Sequence, residues 1–428
     1  AVTAPMLMDK FSLRRCLYGA AAFGLLALCK MSFLVAIPML LAFLATVLVL
    51  SVFAKNASLY RPFRESSWYL IARTTAAVMV TYVIICIALI WTIHRFHFPA
   101  TPPSCQHGKS MLYGDTIDTL SANTYAGSII QRLAALRILP QGYLHGIAFT
   151  LRHASHRPCF LFGEYSDNGF AAFFPVTFVA KTPVGVHALI LLSAMRSLLS
   201  RKVMSAKLAT GEASVLRSRR LLCISLGCLI MVYGATALLS HLSIGHRHLL
   251  PIYPAIFVLL GVSIQAYWHG KWNKVVVGGL LLIAAAEVFA ASPNFLSFVN
   301  CAVGGPSQGY RYFTDSSIDW GQSLPELKRY LKHELPERNE PTQVYVSYFG
   351  SADPSYHGIR STLLYSTQPF CNEEFAFGGD LGAGSYCISA TMWSGVYLPR
   401  QSKWSRVDEQ QYRFLISSLN QRTNPNQD

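Results

Sequence analysis

Three cations border apolar stretches of the chain: Lys30, Lys181 and Arg247. Arg247 is flanked by two imidazoles in the run Gly245-His246-Arg247-His248-Leu249-Leu250-Pro251. Cations at an apolar boundary suit the phosphate of a lipid carrier, because each charge-assisted hydrogen bond contributes roughly 1.5–3 kcal/mol while an acyl tail lies between helices. They also suit interfacial anchors whose stems snorkel to the headgroups, and residue type alone leaves both readings open. His246 and His248, two positions apart, do not share a helical face. That argues against a metal pair and for polar lining or phosphate contact. The ten cysteines follow no metal-ligand spacing either, so no metal is expected.

A transfer reaction at such a phosphate needs a carboxylate to take the acceptor's proton. The candidates on the same side of the membrane are Asp115, Asp118, Glu164, Asp167, Asp315 and Asp319. Glu164 and Asp167 sit in Phe162-Gly163-Glu164-Tyr165-Ser166-Asp167, just before an apolar re-entry at Phe173-Phe174-Pro175. That is a good position for a site at the bilayer surface, although solvated loop acids are commoner. Glu287 lies inside an apolar segment, where acids are functional suspects by default. The run Asp315-Ser316-Ser317-Ile318-Asp319-Trp320-Gly321-Gln322 is dense in hydrogen-bonding side chains around one indole. Asp and Ser there cap turns through their own backbone, which favours a structural reading. In the functional alternative, the two carboxylates hold sugar or acceptor hydroxyls over Trp320.

Composition says what must position these residues. Of 428 residues 52% are hydrophobic and only 13% charged, against about 25% charged in a soluble domain. Segments of spanning length run over Phe33–Ala54, Trp68–Ile93, Leu221–Leu242 and Leu249–Trp268. Val184–Leu199, Val275–Ala291 and the shorter Leu17–Leu28 bring the expectation to about seven. Lys and Arg crowd one alternate set of loops (Lys10, Arg14, Arg15; Lys55, Arg61, Arg64; the stretch Arg196–Arg220; Lys271, Lys274), whereas the other short loops hold only Lys30 and Arg247. The positive-inside bias makes the first set cytoplasmic. The 95–182 loop and the tail from Ser292 are then extracytoplasmic. The Asn56-Ala57-Ser58 sequon falls inside and is expected to stay unmodified.

The chain divides accordingly into a membrane domain at 1–291 and a C-terminal domain at 292–428. The net charge of +15 belongs to the first, with 25 Lys/Arg against 8 Asp/Glu, while the tail carries 11 against 13. A slightly acidic soluble part has no basic face for nucleic acid, and that partner is excluded. The tail reads as α+β: a helix over Leu324–Leu335 with Ser323 as N-cap and Glu326 completing a capping box, and strands at Gln343–Phe349 and Tyr386–Ala390. Cys371 with Cys387 is the expected disulfide in an oxidising compartment, with Cys105 and Cys159 as the alternative.

Several motifs carry a family resemblance. They are Ser292-Pro293-Asn294-Phe295 through Asn300, Gly304-Gly305-Pro306, Asp315-Ser316 and Asp319-Trp320-Gly321-Gln322. Tyr348-Phe349-Gly350-Ser351-Ala352-Asp353-Pro354, Ile388-Ser389-Ala390-Thr391, Gly395-Val396-Tyr397, Gly245 to Pro254, Gly163-Glu164 and Lys181-Thr182-Pro183 extend the match over nearly the whole chain. Together they resemble bacterial membrane glycosyltransferases related to the protein O-mannosyltransferases, in the glycosyltransferase C superfamily. The resemblance implies a polytopic all-α membrane domain of glycosyltransferase C type followed by a small extracytoplasmic α+β domain, in a bacterial inner or plasma membrane. It implies an inverting transfer from a polyprenyl-phosphate sugar to a protein, glycan or lipid acceptor, with the lipid-linked sugar as substrate. The family's catalytic acid is expected upstream of Ala1, as if the N-terminal catalytic part were missing, so no residue here inherits the role; Glu164 and Asp167 are weak substitutes. Ser317 stands where the family more often has Asn. The expected substrate-binding set is Lys30, Lys181, His246, Arg247, His248, Asp315, Asp319 and Trp320. A lipid-phosphate transporter or flippase and a non-catalytic membrane scaffold are the competing functions.

Overall fold

The structure, a computed structural model, describes residues 13–53, 68–99, 117, 124–155, 159–166, 168–199, 213–240, 242–243, 245–267, 270–334, 343–350, 352–364, 382–395 and 406–423. Asp115, Asp118, Asp167, Cys105, Cys371 and the Asn56 sequon lie outside these residues. In chain order the helices are α1 (Leu13–Cys29), α2 (Ala36–Phe53), α3 (Trp68–Ile93), α4 (Tyr125–Ala135), α5 (Gln141–Ser155), α6 (Phe173–Lys181) and α7 (Val184–Leu199). They continue with α8 (Ala213–Leu238), α9 (Tyr253–Tyr267), α10 (Lys271–Ala290), α11 (Leu324–Glu334), α12 (Ala390–Ser394) and α13 (Arg406–Thr423). The strands are β1 (Cys159–Leu161), β2 (Glu164–Ser166), β3 (Val344–Ser347), β4 (Thr362–Leu363) and β5 (Ser385–Ile388).

Among the described residues four helical stretches are long and apolar enough to cross a membrane: Ala76–Ile93, Arg219–Leu238, His246–Gln265 and Lys271–Ala290. A fifth arises if α6 and α7, bent by 106°, count as one broken span. The apolar parts near the N-terminus, Cys16–Cys29 and Phe33–Phe43, are shorter. The protein is therefore built on several membrane-length helices with a small sheet region; of the expected seven segments, Val184–Leu199 is one arm of the bent pair, and Leu17–Leu28 and Phe33–Ala54 correspond to the shorter apolar helices among the described residues.

The contacts fall into two compact units, one of residues 1–155, 193–239 and 251–267, the other of residues 156–192, 240–250 and 268–428. In the first, α1 packs along α3 so closely that a Cβ on Gly24 would stand 2.6 Å from Leu89 Cδ1 and 3.3 Å from Cys86 Cα. Small residues let apolar helices approach in this way where water supplies no driving force. Ala27, Cys86, Ile90 and Tyr143 form the buried seam, and the Tyr143 hydroxyl donates to the Ala27 carbonyl at 3.0 Å. Thr81 and Thr92 of α3 satisfy their hydroxyls on the Ala77 and Ala88 carbonyls, 2.8 and 2.7 Å away, so neither costs an unpaired polar group in an apolar setting.

The second unit holds both sheets. β1 and β2 make an antiparallel hairpin whose turn, Phe162-Gly163, has φ of 52° and 88°, the left-handed pair that matches strand twist. The other sheet is parallel, in the order β4-β3-β5, with Tyr345 opposite Thr362 on one side and Tyr386 on the other. Leu324, Leu327 and Leu331 of α11 lie at helical spacing and pack on Val344, Val346, Tyr348 and Ile359. Across the sheet region Phe349, Leu364, Met392, Tyr412 and Leu415 form a further cluster with α13. The predicted strands and the predicted helix are thus present: β3 is shorter than Gln343–Phe349 at both ends, β5 starts one residue before Tyr386 and stops at Ile388, and α11 covers the described part of 324–335. The capping box is not closed as expected. The Glu326 carboxylate instead accepts from Asn294 Nδ2 at 2.8 Å, tying α11 to the segment that follows α10.

Candidate functional site

The site residues of the second unit are positioned by two irregular stretches. The first is the break between α6 and α7 at Thr182-Pro183. Proline has no N–H and disfavours helix in the residue before it, so the carbonyls at the end of α6 and the first N–H of α7 lose their helical partners. In lipid such groups must be paired inside the protein. Asn300, 2% exposed, does most of this. Its Nδ2 donates to the Val179 and Thr182 carbonyls at 2.6 and 2.8 Å, and its backbone N–H donates to Ala180 at 2.8 Å. Glu287 takes the amides: one oxygen accepts Val184 N–H at 2.7 Å, the other Cys301 N–H at 3.1 Å. A carboxylate holding a backbone N–H on each oxygen is a bracket, which accounts for an acid in α10 without proton transfer. Gly185 completes the junction, since a Cβ there would overlap the Leu280 carbonyl of α10.

Lys181 ends α6, and its ammonium donates to the Leu296 and Phe298 carbonyls at 2.9 and 2.8 Å. Two of its three donors therefore hold the segment after α10. His246 lies close enough to feel the Lys181 charge, and the His248 ring meets Phe174 edge-on, centroids 6.5 Å apart. Arg247 differs from all of these. It is exposed, and among the described residues it has no carboxylate partner. Its guanidinium lies over the Trp320 indole, 5.3 Å from the ring centroid.

The second irregular stretch, 314–322, supplies that indole. Asp315 adopts φ +55°, its N–H donates to Thr391 Oγ1 at 2.9 Å, and its carboxylate accepts the N–H of Ser316. Left-handed backbone at a buried non-glycine residue persists only when its surroundings hold it. One part of those surroundings is Gly245: a Cβ there would come within 2.6 Å of Ser316 Oγ. Asp319, 8% exposed, accepts Gly321 N–H at 3.1 Å on Oδ1, while the other oxygen lacks a hydrogen bond of normal geometry. Burial pushes its carboxyl above the usual carboxylate range, opposed by the Gly321 N–H and by donors from Ser389 and Thr391. Gln322 closes the turn, accepting Trp320 N–H at 2.7 Å and donating to the Ile318 carbonyl at 3.0 Å.

Of the expected set, the second unit therefore brings Lys181 and His246 together, places His248 against Phe174, and joins Arg247 to the Asp315–Trp320 turn. Lys30, exposed at the end of α1, belongs to the other unit. Glu164 is exposed on β2. Residue type alone does not single out Asn300, Ser389 or Thr391. Their only signal was membership in the polar runs that carry the resemblance, because their partners are distant in the chain. No family model, curated protein or solved structure matches this chain.

Proposed function

We propose that the protein is a membrane glycosyltransferase that takes a sugar from a polyprenyl-phosphate donor and passes it to an acceptor on the extracytoplasmic face. The observation that carries the reading is Arg247: an exposed guanidinium at the start of a membrane-length helix, steadied by an indole and lacking a carboxylate partner among the described residues. No carboxylate among the described residues takes its donors, and a guanidinium fork can hold two phosphate oxygens at once. His246, adjacent in the chain, adds a polar ring, and the motif resemblance supplies the reaction class. Glu287, with both oxygens on backbone amides, is not needed as the proton acceptor.

The test is direct binding of a polyprenyl phosphate, and of its hexose-linked form, to the full chain in detergent, followed by transfer assays in vesicles. Arg247→Ala is expected to weaken both lipids about 10- to 100-fold, the loss of one or two charge-assisted bonds. Arg247→Lys keeps the charge but not the fork and falls between. Unchanged binding in Arg247→Ala removes the donor-site reading. A lipid-phosphate flippase is the second reading, favoured by the bent α6–α7 pair, since broken helices line transporter sites. Lipid movement across vesicles without sugar transfer would select it.

A further inference from the structure

Strand order assigns a second half to this site. In the parallel sheet the chain leaves β3 toward β4, while β5 lies on the other side of β3. The carboxyl ends of β3 and β5 are therefore neighbours, and open parallel sheets take ligands outside the carboxyl ends of their strands. The two strand ends are bridged there by Phe349 N–H on Ser389 Oγ at 3.1 Å. The 314–322 turn occupies this edge. Tyr348 Oη donates to the Gly321 carbonyl at 3.2 Å, Asp315 N–H reaches Thr391 at 2.9 Å, and the Trp320 ring meets Phe349 edge-on at 5.5 Å.

Several devices fix this turn: the Asp319 bond to Gly321, the two Gln322 bonds and the Asp315 backbone. Gly321, at φ +76°, admits no side chain because a Cβ would overlap the Tyr348 hydroxyl. Yet the residue so held, Trp320, is 52% exposed. A tryptophan needed only as an anchor would be covered. An indole fixed in orientation and left open at a sheet's carboxyl edge is a stacking platform for a ring with an apolar face.

We propose that Trp320 is the sugar subsite of the donor: a pyranose ring packs on the indole surface that Arg247 leaves free while Arg247 holds the linking phosphate. Asp319 and Gln322 are positioning residues, shaping the turn that presents the indole. The inference rests on the donor reading above, and the experiment separates the two. The full chain in detergent is titrated with polyprenyl phosphate, with polyprenyl phosphohexose and with the corresponding methyl hexoside. Trp320→Ala is expected to weaken the phosphohexose and the hexoside about tenfold, the affinity one aromatic stacking contact supplies, and to weaken the sugar-free phosphate by a smaller factor, because Arg247 loses the indole that steadies it. Trp320→Phe retains part of the effect. Gln322→Ala follows Trp320→Ala in direction, with a smaller change. Equal weakening of all three ligands, or of none, overturns the sugar subsite. If Arg247→Ala is silent for both lipids while the hexoside still depends on Trp320, the donor reading fails and the sugar subsite stands.

Discussion

The helix break at 179–184 and the turn at 314–322 are both irregular, both buried in large part and both dense in polar side chains, yet they differ in direction. At the break every interaction points inward: Asn300, Glu287 and Lys181 meet backbone groups that Pro183 and the following segment leave open. At the turn the same kind of bonding by Asp315, Asp319 and Gln322 ends in an exposed indole and an exposed guanidinium. A conspicuous charge near a membrane is therefore no guide to binding until its donors are followed to their partners. Lys181 and Arg247 read alike as sequence, and the difference between them is what each touches.

The comparison breaks first at Asn300. Asn300→Asp replaces two donors by an anion facing the Val179 and Thr182 carbonyls, and a loss of roughly 3–5 kcal/mol is expected. Thermal unfolding in detergent checks this; a melting curve like that of the parent protein would remove the inward role. Lys181→Met comes next. It forfeits two charge-assisted bonds to carbonyls but also relieves the cost of burying an ammonium, a net loss of roughly 1.5–3 kcal/mol, while the Arg247-dependent affinity for polyprenyl phosphate stays within about twofold. If stability holds and lipid affinity collapses instead, Lys181 is a ligand and belongs with Arg247.

A third effect is smaller and depends on pH. Burial raises the folded-state carboxyl of Asp319 above its unfolded value near 3.8, so between those two values the folded protein binds more protons. Stability contributed by this group is then greatest at acid pH and declines as pH rises through the folded value. Asp319→Asn removes that decline. The check is the melting temperature of parent and variant across pH 4 to 7, and parallel curves would contradict the burial argument. The smallest effect belongs to Glu326→Gln, whose bond to Asn294 bridges two partly exposed groups; a change of about 1 kcal/mol or less is expected on unfolding.

Much of this framework was legible in the sequence. Apolar runs located the membrane-length helices, the capping signal at Ser323 marked the start of α11, and short strand-like runs gave β3 and β5, because each of those signals is local. The strand order was not, since parallel pairing joins Tyr345 to positions 17 and 41 residues away and leaves no local trace. Glu287 drew suspicion for the right physical reason, an acid in an apolar helix, but its partners are backbone amides, which no residue type advertises. Glu326 was expected to close its own helix and reaches Asn294 instead, a tertiary contact overriding a local motif. The density of hydrogen-bonding side chains at 315–322 was plain; that they combine to expose Trp320 follows only from Tyr348, Phe349 and Thr391 arriving from the sheet.

The stitch at the α6–α7 break also has a timetable. Asn300 lies 118 and 121 residues beyond the carbonyls it serves. At a ribosomal pace of roughly 5–20 residues per second, that interval lasts about 6–24 s. During it, α6 and α7 emerge and meet the membrane before the amide that will hold them exists. Premature termination between α7 and Asn300 should thus yield a nascent chain whose α6–α7 elbow remains unlatched, a natural mark for quality control.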